Sequence, residues 1–189
     1  FVSDEIHSDI VYDGYEHRPI ATICSEMLDN SITCIAPSKT FNIAGLEEST
    51  IIIPNENLRR KFQNTIKKIG IGGGNIFGVT ALEAAYTYGE QWLDELLAYL
   101  QGNLDYLNDS LKRNKSGVKF YMPEGTYLVW LDFRSTGLLG DELSRFIIDE
   151  AKLGLNDGRD FGEEGNGFMR MNIACPRAIL REGIDRLKI

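Results

Sequence analysis

Apolar and polar positions divide the chain into two stretches of different texture. In the first, short apolar runs alternate with polar or glycine-rich spacers. Phe1 and Val2 read as the end of a strand whose C-terminal edge delivers Ser3, Asp4 and Glu5, and polar residues then cluster through Pro19 as in an exposed loop. Residues 20–28 predict a short helix. Residues 31–36, stopped by Pro37, and residues 49–53, stopped by Pro54, are β-prone and predict strands. Both are apolar on either face, which suits buried strands of a largely covered sheet. Asn55 is placed to cap a helix reaching about Lys68. Gly70, Gly72, Gly73, Gly74 and Gly78 then punctuate the chain around the start of a helix over 77–88.

The second stretch opens on a longer period. Leu93, Leu97, Leu100, Leu104, Leu107 and Leu111 alternate between spacings of four and three, which predicts an amphipathic helix over 92–111. Gly117 ends the linker behind it. Residues 118–121 and 127–133 read as strands, 140–152 as a helix, 168–174 as a strand, and Pro176 opens a final helix. Short mixed elements of this kind make a small α+β layer. The fold class is α/β, with a soft boundary inside the long helix: a first domain over 1–95 and a second over 96–189. No internal repeat is visible.

Composition narrows the function. The 189 residues are 43% hydrophobic and 25% charged, an ordinary globular balance, and the net charge is −8. That argues against a general nucleic-acid or anionic-membrane partner, because phosphate contacts need clustered Lys and Arg. No apolar run approaches the roughly 18 residues of a membrane helix. Cys24, Cys34 and Cys175 are too few and too scattered for a disulfide scaffold, and a reducing, cytoplasmic setting fits them best. The chain opens at Phe1, straight into a strand, as the interior of a larger protein would.

Two segments carry candidate chemistry. Lys39 follows an apolar strand and precedes a turn with small residues; a lysine held near apolar walls loses its proton readily, which a Schiff-base lysine needs. A solvated surface lysine is the plainer reading of that residue alone. Asp4 ends another apolar strand, and carboxylates at strand C-termini of an α/β sheet face the ligand crevice. The alternatives there are a solvated acidic loop, or a metal site from Glu5, His7 and Asp9 that lacks a third nitrogen or sulfur ligand.

Taken together, Ser3-Asp4-Glu5-Ile6-His7-Ser8-Asp9 and Pro37-Ser38-Lys39-Thr40-Phe41-Asn42-Ile43-Ala44-Gly45-Leu46 resemble the fold type I pyridoxal-phosphate enzymes, the aspartate aminotransferase superfamily. Within it the chain is most similar to C–S lyases of the MalY/PatB, cystathionine β-lyase-like type. Gly74-Asn75-Ile76-Phe77-Gly78, Glu83-Ala84-Ala85-Tyr86, Glu124-Gly125-Thr126-Tyr127 and Arg170-Met171-Asn172-Ile173-Ala174-Cys175-Pro176-Arg177 add to the likeness, in the family's order and over nearly the whole chain.

The resemblance implies a carboxy-terminal portion of such an enzyme: the later part of the large cofactor domain, then the small domain. It implies that Lys39 forms the internal aldimine with pyridoxal 5'-phosphate and shuttles the α-proton. Asp4 pairs with the pyridinium nitrogen. His7 stands where related enzymes place a Tyr on the phenolic oxygen, an ordinary structural His being the alternative. Ser38 is a phosphate ligand, or merely caps a turn. Arg170 binds the substrate carboxylate. The implied reaction is β-elimination at the C–S bond of cystathionine or cysteine-type amino acids, giving thiol, pyruvate and ammonia, in a homodimer with a small amino-acid substrate and no metal. Transamination on the same scaffold and a non-catalytic module that kept the fold are the alternatives.

The chain departs from the family in two ways. Ala36 and Glu47 stand where many aminotransferases carry a Ser and an Arg on the phosphate, and an acid near a phosphate repels it. The family's amino-terminal half, which supplies further phosphate donors and a stacking aromatic, has no counterpart here. Gly70–Gly74 does not replace it and reads as a flexible loop near a subunit interface. The expectation is weak or no cofactor binding, and no lyase activity, for this chain alone.

Overall fold

The computed structural model describes residues 1–114 and 116–187. Lys115 and the last two residues of the expected second domain lie outside the described residues. The chain forms two compact units, Phe1–Leu97 and Ala98–Ile189.

The first unit is built on a three-stranded sheet of β1 (Val2–Asp4), β2 (Ile32–Ile35) and β3 (Thr50–Ile52), in that order. β1 runs parallel to β2, with Asp4 opposite Cys34, whereas β3 is antiparallel, with Ile51 opposite Cys34. The predicted helix over 20–28 splits into a 3-10 turn, Ile20–Thr22, and α1 (Ser25–Asp29), because the backbone is extended at Cys24 (φ −159°, ψ 167°). The strands are less buried than their composition implied. Val2 is 74% exposed and Ile52 43%, since no layer of this unit covers both faces of the sheet.

Lys39 stands within a one-turn helix, α2 (Pro37–Thr40), entered from an extended Ala36, and the small residues beyond it form the expected turn, a 3-10 turn at Ala44–Leu46. Pro37 occupies the first helical position, where its missing N–H costs nothing and its fixed φ suits the helix. Asn42 closes the segment at φ 54°, a left-handed conformation that Asn tolerates. Helix α3 (Glu56–Ile69) is capped as expected: the Asn55 side chain accepts from the Leu58 N–H, and Gly70 ends the helix at φ 73°. Asn75 caps α4 (Ile76–Tyr88) through the Gly78 N–H at 2.7 Å.

Helix α5 (Glu90–Asn114) carries the leucine stripe, and Leu100, Leu104, Leu107 and Leu111 are buried. The second unit also holds a four-stranded antiparallel sheet: β4 (Lys119–Phe120), β5 (Leu128–Asp132), β6 (Asn156–Asp157) and β7 (Phe168–Asn172), in the order β4-β5-β7-β6. The period-two alternation sorts its faces. Val129, Leu131, Met169 and Met171 are buried, while Trp130 opposes Arg170 on the other face. The helix expected over 140–152 is α6 (Gly140–Arg145) followed by a π turn, Phe146–Glu150, closed by the Ala151 N–H on the Phe146 carbonyl. In α7 (Arg177–Arg186), Pro176 is the capping residue just before the helix. Among the described residues no helix is long and apolar enough to cross a membrane.

Candidate active site

Parallel pairing of β1 and β2 brings the C-terminal ends of both strands to one edge of the first sheet. Asp4 is the last residue of β1, and Lys39 follows β2 on α2. The Asp4 carboxylate is exposed, and the Ser38 and Lys39 side chains are half-buried; among the described residues none of the three has a hydrogen-bond or ion-pair partner. An unpartnered carboxylate and an unpartnered amine at one sheet edge fit a group that offers a basic ring nitrogen to one and a carbonyl carbon to the other. His7 lies in the turn after β1, where its carbonyl accepts the Ile10 N–H and the Glu5 carbonyl accepts the Ser8 N–H, both at 3.0 Å.

The neighbouring carboxylates are committed elsewhere. Glu5 is buried and accepts from Ser3 Oγ at 2.8 Å, His17 Nε2 at 2.9 Å and the Ile20 N–H at 3.1 Å. Burial raises its pKa, but these bonds, chiefly that to His17, outweigh burial and hold it below 4.5. Asp9 accepts the Thr40 hydroxyl at 2.8 Å, with the Tyr86 hydroxyl at 3.5 Å. Glu5, His7 and Asp9 therefore do not converge, and among the described residues no three His, Cys, Asp or Glu are grouped to hold a metal.

Glu47 and Glu48 part company. Glu47 is exposed at φ 56°, beyond the 3-10 turn Ala44–Leu46. Glu48 reaches the glycine segment, where it accepts the Asn75 N–H at 2.9 Å; the Asn75 amide in turn donates to the Leu46 carbonyl at 2.6 Å. Gly74 and Gly78 leave the room this needs, since a Cβ on either would stand 2.4 Å from the Glu48 side chain. Sequence reasoning missed this bond. Its partners lie 27 positions apart, and no local pattern marks it.

Arg170 belongs to the second unit, at the centre of β7 between Trp130 of β5 and Asn156 of β6. Its guanidinium lies over the Phe161 ring, 4.4 Å from the centroid, and donates to Asn156 Oδ1 at 3.1 Å. Its Nε is buried with no partner, and no carboxylate of the described residues pairs with it. The contrast with Arg134 is informative, because that residue holds Asp132 through two nitrogens at 2.8 and 2.9 Å. A planar fork held in place with donors unspent suits an incoming carboxylate. Phe161 and Asn156, which hold Arg170, were not anticipated; nine and fourteen positions upstream, they carry no local signal.

Comparison with known proteins decides the family. Residues 1–187 match Aminotransferase class I and II. The chain belongs to that family. Its similarity to cystathionine beta-lyase PatB of Bacillus subtilis is 46% identity over 187 residues, covering 99% of this chain and 48% of that protein. Protein MalY of Escherichia coli is 34% identical, with 98% and 47% covered. Among solved structures, cystalysin from Treponema denticola, which contains a pyridoxal 5'-phosphate cofactor, superimposes with a TM-score of 0.95 at 36% identity, covering 99% of this chain and 48% of that one. A pyridoxal-phosphate-bound C–S lyase from Staphylococcus hominis, with L-cycloserine, gives 0.86 at 36%, with 99% and 45% covered. The fold is that of the fold type I pyridoxal-phosphate enzymes, and the chain spans about half the length of these relatives.

Proposed function

We propose that the full-length protein is a pyridoxal-phosphate-dependent carbon–sulfur lyase that releases thiol, pyruvate and ammonia from cystathionine or a cysteine-type amino acid. The observation that carries this reading is the 46% identity to a cystathionine beta-lyase along 99% of the chain. The unpartnered side chains of Asp4 and Lys39 and the unpartnered Nε of Arg170 support it.

The bound cofactor supplies the electron sink for charge that develops at the substrate Cα. Asp4 holds a proton on the ring nitrogen and so keeps the ring electron-poor. Lys39 carries the cofactor between turnovers, and its freed amine removes the proton from the substrate Cα. Arg170 grips the substrate carboxylate. Ser38 donates to the phosphate and His7 to the phenolic oxygen. Residues 1–95 then form the later part of the large cofactor domain and residues 96–189 the small domain, of a cytoplasmic homodimer.

Transamination is the second reading. The family name favours it, as does 25% identity to a probable N-acetyl-LL-diaminopimelate aminotransferase of Bacillus subtilis. The full-length protein incubated with cystathionine and no keto acid separates the two. Pyruvate and ammonia are expected; transfer of the amino group only when a keto acid is added would replace the lyase reading.

A further inference from the structure

Asp9 stands where three segments meet. Its Oδ2 accepts the Thr40 hydroxyl at 2.8 Å, and the Tyr86 hydroxyl of α4 approaches the same oxygen at 3.5 Å. Thr40 is fully buried, is the last residue of α2 and directly follows Lys39. Phe41 comes next. Its ring meets Tyr86 edge-on at 5.6 Å and lies 5.7 Å from Trp92. Gly89 leaves room for it, because a Cβ there would come within 2.4 Å of the Phe41 ring. The backbone just after Lys39 is therefore held twice, by a hydrogen bond at Thr40 and by packing at Phe41.

The other end of the hydrogen bond is equally fixed. Asp9 belongs to the turn that continues from Asp4 through His7, and the next residue, Ile10, is completely buried. Burial, then the negative charge of Asp9, raises the Tyr86 hydroxyl to about 12, so the phenol stays protonated and can only donate to that carboxylate. One carboxylate thus ties the segment bearing Lys39 to the segment bearing Asp4 and His7.

We propose that Asp9 is a positioning residue for Lys39: by holding Thr40 it fixes the lysine against the turn that follows Asp4. The inference rests on the role given to Lys39 above. A small displacement of a reacting group costs rate far more than binding, since up to about a hundredfold is lost for 1 Å.

The test uses the full-length protein with its cofactor. Borohydride reduction and peptide mapping first locate the modified lysine; a label elsewhere than Lys39 overturns the site assignment itself. With Lys39 labelled, Asp9→Ala is expected to lower kcat by about ten- to a hundredfold while KM stays within about threefold. The visible circular dichroism of the bound cofactor, which reports how firmly it is oriented, should shrink in parallel. Asp9→Asn keeps an oxygen that accepts from Thr40 and should recover most of both signals. Thr40→Val keeps the shape and the Asp9 charge, removes the donor, and should behave like Asp9→Ala. It also serves if Asp9→Ala does not fold. Wild-type kcat and dichroism in Asp9→Ala or Thr40→Val, whatever the fall in melting temperature, would show a merely structural tether and overturn the proposal. Equal losses in Asp9→Asn and Asp9→Ala would overturn it as well, because charge and not the Thr40 bond would then be at work.

Discussion

The two units are nearly equal in length and differ sharply in what they bury. Among the described residues, the buried apolar side chains of the first unit are Ile10, Tyr12, Ala36, Pro37 and Ile53; the second buries seventeen, from Leu100 to Leu187. Helix α4 shows why. Its residues are mostly apolar with no distinct polar face, a pattern that belongs inside a protein, yet Ile76, Phe77, Val79 and Tyr88 are exposed. The second unit closes a core from its own sequence, with a leucine stripe, a two-faced sheet and α7. The first holds Asp4, His7, Ser38 and Lys39 mainly by hydrogen bonds and turns. The proposed chemistry, Arg170 aside, and the packing thus fall in different halves of the chain, so loss of activity and loss of stability should map to different residues.

The sharpest test of that separation is Lys39→Ala in the full-length protein. Turnover should vanish, with Lys39→Arg failing too because guanidinium stays protonated, while thermal melting hardly moves. A large fall in melting temperature would mean that the lysine also holds the fold. Next, Leu131→Ala should cost the isolated chain about 2–5 kcal/mol in urea unfolding, as a buried large-to-small change does. Phe77→Ala, at a side chain 76% exposed, should stay within about 0.5 kcal/mol. Similar costs for the two would break the comparison.

Arg170→Lys probes the one proposed site residue in the well-packed unit. Substrate binding by the full-length protein should weaken by about 1.5–3 kcal/mol, read from KM and from inhibitor titration, with cofactor absorbance unchanged. Retained substrate affinity with loss of cofactor would reassign the residue.

The smallest effect is a difference in acid response. Glu5 in the first unit is held below 4.5 by the bonds that outweigh its burial. In the second unit, Asp157 is held well below 3.8, mainly by Arg159 against the opposing effect of burial. A carboxyl depressed in the folded state contributes stability above its unfolded pKa and loses it as pH falls through the folded value. The first unit should therefore loosen at a higher pH than the second. Each unit has one tryptophan, Trp92 and Trp130, so single-tryptophan variants followed by fluorescence from pH 6 to pH 2 report them separately. Coincident transitions would mean that the halves unfold as one.

Legibility in the sequence followed the range of the interactions. The leucine stripe of α5 and the Asn55 and Asn75 caps depend on residues three or four apart, and periodicity or capping chemistry reveals them. The π turn after α6 is a change of hydrogen-bond register inside an unbroken pattern, so 140–152 looks like one helix. The antiparallel course of β3 has no local mark. In the sequence Asp9 stands beside Glu5 and His7 as an alternative metal ligand, whereas its partner in the structure, Thr40, lies 31 residues away. Lys39 and Asp4 stand out through motif and strand-end position, but the α2 helix that carries Lys39 is a single turn, too short for periodicity to reveal and announced only by Pro37.

The bond between Glu48 and the glycine segment also constrains how this chain can change. The three atoms nearest an alanine Cβ at position 74 all belong to the Glu48 side chain, whereas one at 78 also meets the Leu46 carbonyl at 2.6 Å. The first obstacle disappears if position 48 shortens; the second does not. At 74 the obstacle is the far end of a flexible side chain, so a methyl there is accommodated when Glu48 swings away or shortens, at the cost of residual strain at φ 53°. Position 78 has no such route, and a lineage that keeps the Leu46 backbone where it is must keep that glycine.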